Sequence, residues 1–582
     1  MGTIKQFLIT TFITTAALFA QPNDINTSSK KELATKTLNS EFKTKFRLKN
    51  SVLLRNISNN KLLRRVYRNS HYNLLWLNQD LSSKQTFNIK KTQLFKHIKN
   101  DPTLEHQGKI YTTYQQLNNP IDTNLSKTEL FKVELKLTSL YYEYLQHSLY
   151  GGIQWKNFSR KLSSLKRYRI NASWIRNKAP YNINKLLLGD NIDETMKKIT
   201  PSRFGYKKLL TALEKLKEIQ TDGGWEKLPK FKRLQIGSQD TLVIALRDRL
   251  KASNDYRMCK ETNTTIQTKE INSSLENNET VQIDPETIFD ACLDEGVKRF
   301  QKRHGLVVDG IVGGGTQKAL NLSVESKIEK ILLNIDRIKW LPRKDDKRYI
   351  VVNIPEFMLH YIENNQTKKE LAVIVGDTKH PTPIFSEKIS YIVLNPYWKV
   401  PEGIVKREIV PKMVKNPNYL RRQGLQAHVN WSENSPIVNT SHLFWEDYLE
   451  GGQTFPYRLM QPPGPRNALG KIKFKFPNRF AVYLHDTPTR YLFKKTKRAF
   501  SHGCVRLSNP VELLETIASF NKHINLDKAK KTLKGKRKTQ LDVKTKLPIY
   551  LVYLTVGLNK NDEIEFRNDI YRYDKFQKRI AR

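Results

Sequence analysis

The segment Tyr483-Leu484-His485-Asp486-Thr487-Pro488, followed after a basic connector by Phe500-Ser501-His502-Gly503-Cys504-Val505-Arg506-Leu507, sets two histidines around one cysteine. A thiolate is the attacking species, and a free cysteine near its reference pKa of roughly 8.5 is only slightly ionised at neutral pH. A histidine within hydrogen-bond reach corrects this by taking the thiol proton and returning it to a leaving amine. His502 lies two residues from Cys504 and shares its face if the chain is extended there. His485 ends the β-type run Phe480-Ala481-Val482-Tyr483-Leu484 and can be brought opposite Cys504 by the fold. The residues alone leave the choice between the two open.

Working outward, short apolar runs bounded by Pro, Gly and Asn begin at Arg348: Tyr349–Ile354, Leu371–Val375 and Tyr391–Asn395. These predict β-strands, so the segment lies in a β-rich domain over 345–575. Within it the pattern turns polar and helical, with Ile404–Val410 and Trp445–Leu449, and we read 403–455 as an inserted lid. Upstream, 231–325 reads helix, tight turn, helix, interrupted by a polar stretch over 259–288. In Phe300-Gln-Lys-Arg-His-Gly-Leu-Val-Val-Asp-Gly-Ile-Val-Gly313, Gly310 and Gly313 are expected to supply positive φ and Thr316 to cap the last helix. No strand leads into these glycines at the spacing a dinucleotide fingerprint requires. Residues 48–230 repeat apolar positions three and four apart and predict a helical scaffold without a cluster of catalytic residue types. The polar stretch 21–47 is expected to be a disordered linker.

Composition bounds the possibilities. The chain has 582 residues, too many for one core, and 101 Lys and Arg against 56 Asp and Glu give a net charge of +45. That charge attracts any anionic polymer, yet it is spread along the chain and accompanied by no zinc-finger spacing, RNP-like motif or helix-turn-helix, so no specific nucleic-acid partner is expected. Lys5, the apolar run Phe7–Phe19 and Ala20 before Gln21-Pro22 read as a signal peptide over 1–20, with an uncleaved anchor as the alternative. Of three cysteines, Cys259 and Cys292 flank the polar stretch and are expected to bridge, which leaves Cys504 free. No His, Cys or carboxylate spacing suggests a metal, and no cofactor is expected.

His485 together with Ser501-His502-Gly503-Cys504-Val505-Arg506 resembles the signature of the L,D-transpeptidases with a YkuD-type catalytic domain. Val375-Gly376 with Thr382-Pro383, Asn395–Pro401 and Pro463–Phe474 extend the resemblance, and Phe300–Gly313 resembles the small three-helix peptidoglycan-binding domain. The domain order is similar to the large periplasmic subfamily. The fold so implied is multidomain α+β: helical scaffold, peptidoglycan-binding-like module, and β-rich catalytic domain with inserted lid.

The resemblance implies that Cys504, deprotonated by His485, forms a thioester with the third stem-peptide residue and expels D-alanine, and that a neighbouring stem amine resolves it into a 3→3 cross-link. It further implies that the Asp486 carbonyl orients His485 and that Gly503 and Cys504 supply oxyanion N–H groups. His502 would support the loop or contact substrate, with Ser501 beside it. Arg506 would bind a stem carboxylate, and Trp398 and Tyr397 would line the stem-peptide groove. Asn467 and Arg466 read as turn-forming. Peptidoglycan stem peptides and glycan are the implied partners, with carbapenems as inhibitors and a wall glycosyltransferase and carboxypeptidase as candidate associates. A hydrolase or protein-attaching enzyme sharing the acyl-enzyme, and a catalytically silent wall-binding protein, are the rival readings.

Overall fold

The computed structural model describes residues 36–78, 86–119, 125–257, 284–343, 346–449, 451–577 and 579. The expected signal peptide, Cys259 and most of the polar stretch 259–288 lie outside the described residues. The chain divides into two compact units, 1–146 with 181–199, and 147–180 with 200–581, so the helical stretch 48–230 contributes to both.

The first unit is helical. Residues 36–47, expected in a disordered linker, form a helix instead. Its polar sequence conceals a single stripe, Leu38, Phe42 and Phe46, spaced four apart and buried. Phe42 packs edge-on to Tyr67 and Phe131 at 5.0 and 5.2 Å between ring centroids. One carboxylate organises the interior: Glu134, on the helix Lys127–Tyr150, accepts from the N–H groups of Leu75, Trp76 and Leu77 at 2.5, 3.0 and 3.0 Å and from the Tyr67 hydroxyl at 2.8 Å. Burial raises its pKa, and these donors oppose the rise. Glu134→Ala would strand three buried N–H groups, and we expect a loss on the order of 3 kcal/mol in denaturant unfolding of the full chain. Glu134→Gln, which turns a donor toward some of these donors, should recover only part.

In the second unit, the helices Leu242–Ala252, Ala291–Arg303 and Gly314–Leu320 bury Val243, Leu246, Leu293, Val297 and Phe300 in one small core. The Gln301 amide holds the connecting turn, donating to Asp309 and the Ile311 carbonyl and accepting from the N–H groups of Asp309 and Gly310. Gly310 has φ +74°, and a Cβ there would meet the Asp294 carboxylate at 1.9 Å. Gly313 differs from expectation: it is extended, φ −92°, and is itself the N-cap. Thr316 lies inside the helix and donates to the Ile311 carbonyl rather than capping.

The strands are β1 (Arg348–Asn353), β2 (Met358–Glu363), β3 (Gln366–Gly376), β4 (Phe385–Leu394), β5 (Trp398–Lys399), β6 (Gln426–His428), β7 (Ile437–Val438), β8 (Arg458–Gln461), β9 (Ile472–Lys475), β10 (Leu484–His485), β11 (Ala499–Ser501), β12 (Val505–Leu507) and β13 (Thr539–Val552). The main sheet runs β11-β3-β12-β10-β9-β4-β13-β1-β2, and β2 pairs back onto β3. This closure leaves most edges paired.

β1 reads as a continuous apolar run because both its faces are covered. Ile350 and Val352 enter the main core, while Tyr349 and Val351 pack outward with the helix Val324–Lys339. Residues expected as the insertion form a subdomain whose sheet, β5-β8-β6-β7, draws strands from either side of 403–455 and has its own core around Val405, Ile409, Met413, Trp445 and Phe455. No helix among the described residues is long and apolar enough to cross a membrane.

Candidate active site

β10 and β12 are parallel neighbours in the register Leu484↔Val505 and His485↔Arg506, and the Val505 N–H donates to the Tyr483 carbonyl at 3.1 Å. Cys504, immediately before β12, therefore lies beside Tyr483. Period-two alternation puts Leu484, Val505 and Leu507 in the core, leaving Tyr483, His485, Cys504 and Arg506 on the opposite face. On the other side β9 pairs antiparallel, Lys473↔His485 and Phe474↔Leu484, which brings Lys473 and Lys475 to that same face. All six residues line a cleft of about 660 Å³.

His485 is buried, and one ring nitrogen, Nδ1, lies 2.5 Å from the Asp486 carbonyl. A carbonyl only accepts, so Nδ1 carries the proton and Nε2 keeps its lone pair. Burial, helped by the nearby charges of Arg506 and Lys473 and opposed by the Asp486 carbonyl, pushes the imidazole down to about 3. Cys504 is a free thiol, half-buried, with Sγ 3.9 Å from the Ala481 carbonyl. Burial pushes it above the ordinary thiol value, against the pull of Tyr483 and Lys473. The resting pair is thus neutral thiol and neutral imidazole. Such a pair suits proton transfer during attack rather than a standing ion pair.

The loop that carries Cys504 is held from several directions. Gly503 has φ +105°, which a side chain would strain. Its N–H donates to Ser501 Oγ at 3.2 Å, and its carbonyl accepts from Thr382 Oγ1 at 2.9 Å. The Gly503 N–H, expected to serve an oxyanion, is engaged within the loop, whereas the Cys504 N–H has no partner among the described residues. Ser501 is buried, its hydroxyl donates to the Cys504 carbonyl and so holds the loop, and it also lines the cleft.

His502 is drawn away from the thiol's needs. Its Nε2 pairs with Glu408, on the turn Val405–Ile409 of the inserted subdomain, and its ring lies 4.3 Å from that of His380. Of the two histidines, His485 is the one that shares the strand face of Cys504 without a carboxylate partner among the described residues.

Asp486 acts through its backbone on His485. Its carboxylate accepts from the Lys471 N–H at 2.8 Å and from Arg490 at 2.7 Å. Arg506 donates to Thr489 Oγ1 at 3.3 Å and has no carboxylate partner among the described residues, which leaves its charge available to the cleft. Trp398 and Tyr397 line the cleft, Trp398 also packing on the inserted subdomain's core. Asn467 is buried, donating to the carbonyls of Pro396, Gln461 and Pro462, and Arg466 donates to the Arg422 carbonyl. Sequence reasoning missed Tyr571, Glu408, His380 and Lys473 as neighbours of the site. Only Lys473 had a local signal, the alternation Lys471-Ile472-Lys473-Phe474-Lys475.

Comparison with known proteins finds matches to several segments of the chain. A family model described as the L,D-transpeptidase catalytic domain (YkuD) matches residues 347–543, one described as a scaffold domain matches 61–213, and one described as "Putative peptidoglycan binding domain" matches 267–320. A Haemophilus influenzae protein named "Putative L,D-transpeptidase" is 34% identical over 256 residues, 44% of this chain and 50% of that protein, so the match spans half of that relative's length.

Among solved structures, an L,D-transpeptidase from Stackebrandtia nassauensis aligns over 56% of this chain and 96% of its own at 13% identity and TM-score 0.20. One from Xylanimonas cellulosilytica aligns over 56% and 99% at 15% identity and TM-score 0.16. The LD transpeptidase LdtMt1, in complex with imipenem, aligns over 36% and 59% at 13% identity and TM-score 0.16. The closed, β-rich domain with its cysteine and histidine on one strand face thus matches the L,D-transpeptidase catalytic domain (YkuD) over 347–543. Upstream segments match the scaffold-domain and peptidoglycan-binding-domain models.

Proposed function

We propose that this protein is a peptidoglycan L,D-transpeptidase that forms 3→3 cross-links through a thioester on Cys504. His485 Nε2 takes the thiol proton as sulfur attacks the carbonyl of the third stem residue, and the Cys504 N–H donates to the oxyanion. The C–N bond to D-alanine then breaks, and the imidazolium returns its proton to the departing amine. The side-chain amine of a second stem attacks the thioester, giving its proton to His485 as the thiolate leaves.

The observation that carries this reading is the fixed tautomer. The Asp486 carbonyl holds the Nδ1 proton of a neutral imidazole whose other nitrogen is free, on the face that bears Cys504. The cations Arg506 and Lys473 in the cleft suit a substrate bearing carboxylates. Cys292 is disulfide-bonded while Cys504 stays free. This supports action in an oxidising compartment, the periplasm, after export. The contact of Glu408 with His502 supports a lid role for the inserted subdomain, since it joins that subdomain to the loop that carries Cys504.

The test is incubation of purified protein with a disaccharide-tetrapeptide, with Cys504→Ala as blank and products read by chromatography and tandem mass spectrometry. A dimer linked 3→3 is the expected product. Tripeptide without dimer would make the protein a hydrolase, and no turnover would favour a wall-binding role. A carbapenem, whose strained amide imitates the donor carbonyl, is expected to add its mass to wild type but not to the blank.

A further inference from the structure

Near Cys504 stand two lysines that take no part in the bond-making and proton-transfer steps described above, although one of them has been noted as a cation of the cleft. β9 sends Ile472 and Phe474 into the core and turns Lys473 and Lys475 to the cleft. The two Nζ atoms lie 3.9 and 5.4 Å from the centroid of the same ring, that of Tyr483, whose strand neighbour is Cys504. Neither lysine has a carboxylate partner among the described residues. Among the described residues Glu433 is the one carboxylate lining the cleft, and it is paired with Lys538 on the cleft wall. Lys399, Arg407 and Arg506 add to the positive charge there.

Two like charges beside one aromatic ring at a partly dehydrated site repel each other, and an ammonium removed from water without a counter-charge is unfavourable. Tyr483 offsets part of this through its π face. Burial, with Lys475 adding to the effect, draws Lys473 down to about 8. An arriving anion would relieve all of these costs together.

We propose that Lys473 and Lys475 form a seat for a carboxylate of the donor stem peptide, next to the scissile carbonyl, and so make the enzyme selective for donors in which that carboxylate is free rather than amidated. This rests on the transpeptidase reading for the identity of the donor. Two donor carboxylates are the candidates for the seat: the terminal carboxylate of the leaving D-alanine, and the one at the side-chain centre of the third residue. Arg506 stands on the β12 side of the histidine and the lysines on the β9 side, so the cleft has cationic ground for both at once.

The experiment measures binding and needs no turnover. Full-length Cys504→Ala protein is titrated calorimetrically with three disaccharide-tetrapeptides: the free acid, the amide at the third residue's side-chain centre, and the C-terminal amide. The titrations are repeated with Lys473→Met and Lys473→Arg added. The free acid is expected to bind about 10- to 100-fold more tightly than one of the amides, and that amide identifies the seated carboxylate. Lys473→Met should erase the preference, and Lys473→Arg should retain most of it.

Equal weakening of all three ligands by Lys473→Met, no preference in the parent, or no binding of any of them would overturn the proposal. Cross-linked product in the muropeptide assay with no lysine-dependent preference would leave the transpeptidase reading standing and sink this one alone. A lysine-dependent preference without product would do the reverse.

Discussion

A His485→Gln variant should acylate Cys504 about 10³-fold more slowly than wild type, with little change in thermal unfolding, when followed by intact-protein mass spectrometry with a carbapenem. The reason lies in the resting state. Burial holds the thiol above its ordinary value and the imidazole down at about 3, so no standing thiolate is present to attack without a base. Glutamine keeps a similar shape but cannot take the proton.

The pH dependence follows in sign. The folded histidine stays neutral until about 3, while an unfolded one protonates near 6.5. Acylation by wild type should therefore run flat from about pH 4 to 8, without a step at 6.5. The stability contributed by this group is fully present above 6.5 and is lost as pH falls from there toward 3, because the unfolded chain binds the extra proton. His485→Gln should lack that part of the acid sensitivity. An acylation step between pH 6 and 7 would show an imidazole titrating as if solvated and would remove the account given of its burial.

The strands and the cysteine-bearing motif were legible because each rests on local pattern. Tyr349–Ile354 and Leu371–Val375 announce themselves by short apolar runs, and the Ser-His-Gly-Cys turn carries its chemistry in adjacent residues. What was not legible depends on pairings with no period in the sequence. Glu408 reaches His502 across 94 positions, by subtraction of the two residue numbers. Thr382 reaches Gly503 across 121, and Tyr571 reaches Gly376 across 195. The helix over 36–47 escaped notice because its buried stripe is three residues wide in an otherwise polar stretch. The engaged N–H of Gly503 could not be foreseen either, since a glycine in such a turn looks the same whether its amide faces a substrate or a neighbouring hydroxyl.

Those pairings lead to the second large effect. Gly376→Ala should lower acylation about 100-fold and destabilise the domain by about 1–3 kcal/mol. Gly376 ends β3, and its conformation is open to any residue; what it lacks is room. A Cβ there would stand 2.1 Å from the His380 carbonyl and 2.6 Å from the Thr382 N–H nitrogen, both backbone atoms that cannot swing aside. The loop between them must then move, and it holds the nucleophile. The Gly376 N–H donates to Thr382 Oγ1 at 2.8 Å, and Thr382 Oγ1 donates to the Gly503 carbonyl at 2.9 Å. The buried Tyr571 hydroxyl closes the ring by donating to the Gly376 carbonyl at 2.6 Å and accepting from the Thr382 N–H at 3.1 Å. A shift near 1 Å passed along this chain moves Gly503 and with it the sulfur and the Cys504 N–H. Tyr571→Phe separates position from stability: it removes one hydroxyl without adding bulk, so unfolding should be easier by about 1–3 kcal/mol while acylation falls less than in Gly376→Ala. Wild-type acylation in a destabilised Gly376→Ala protein would mean that the ring of bonds supports the fold but does not aim the thiol.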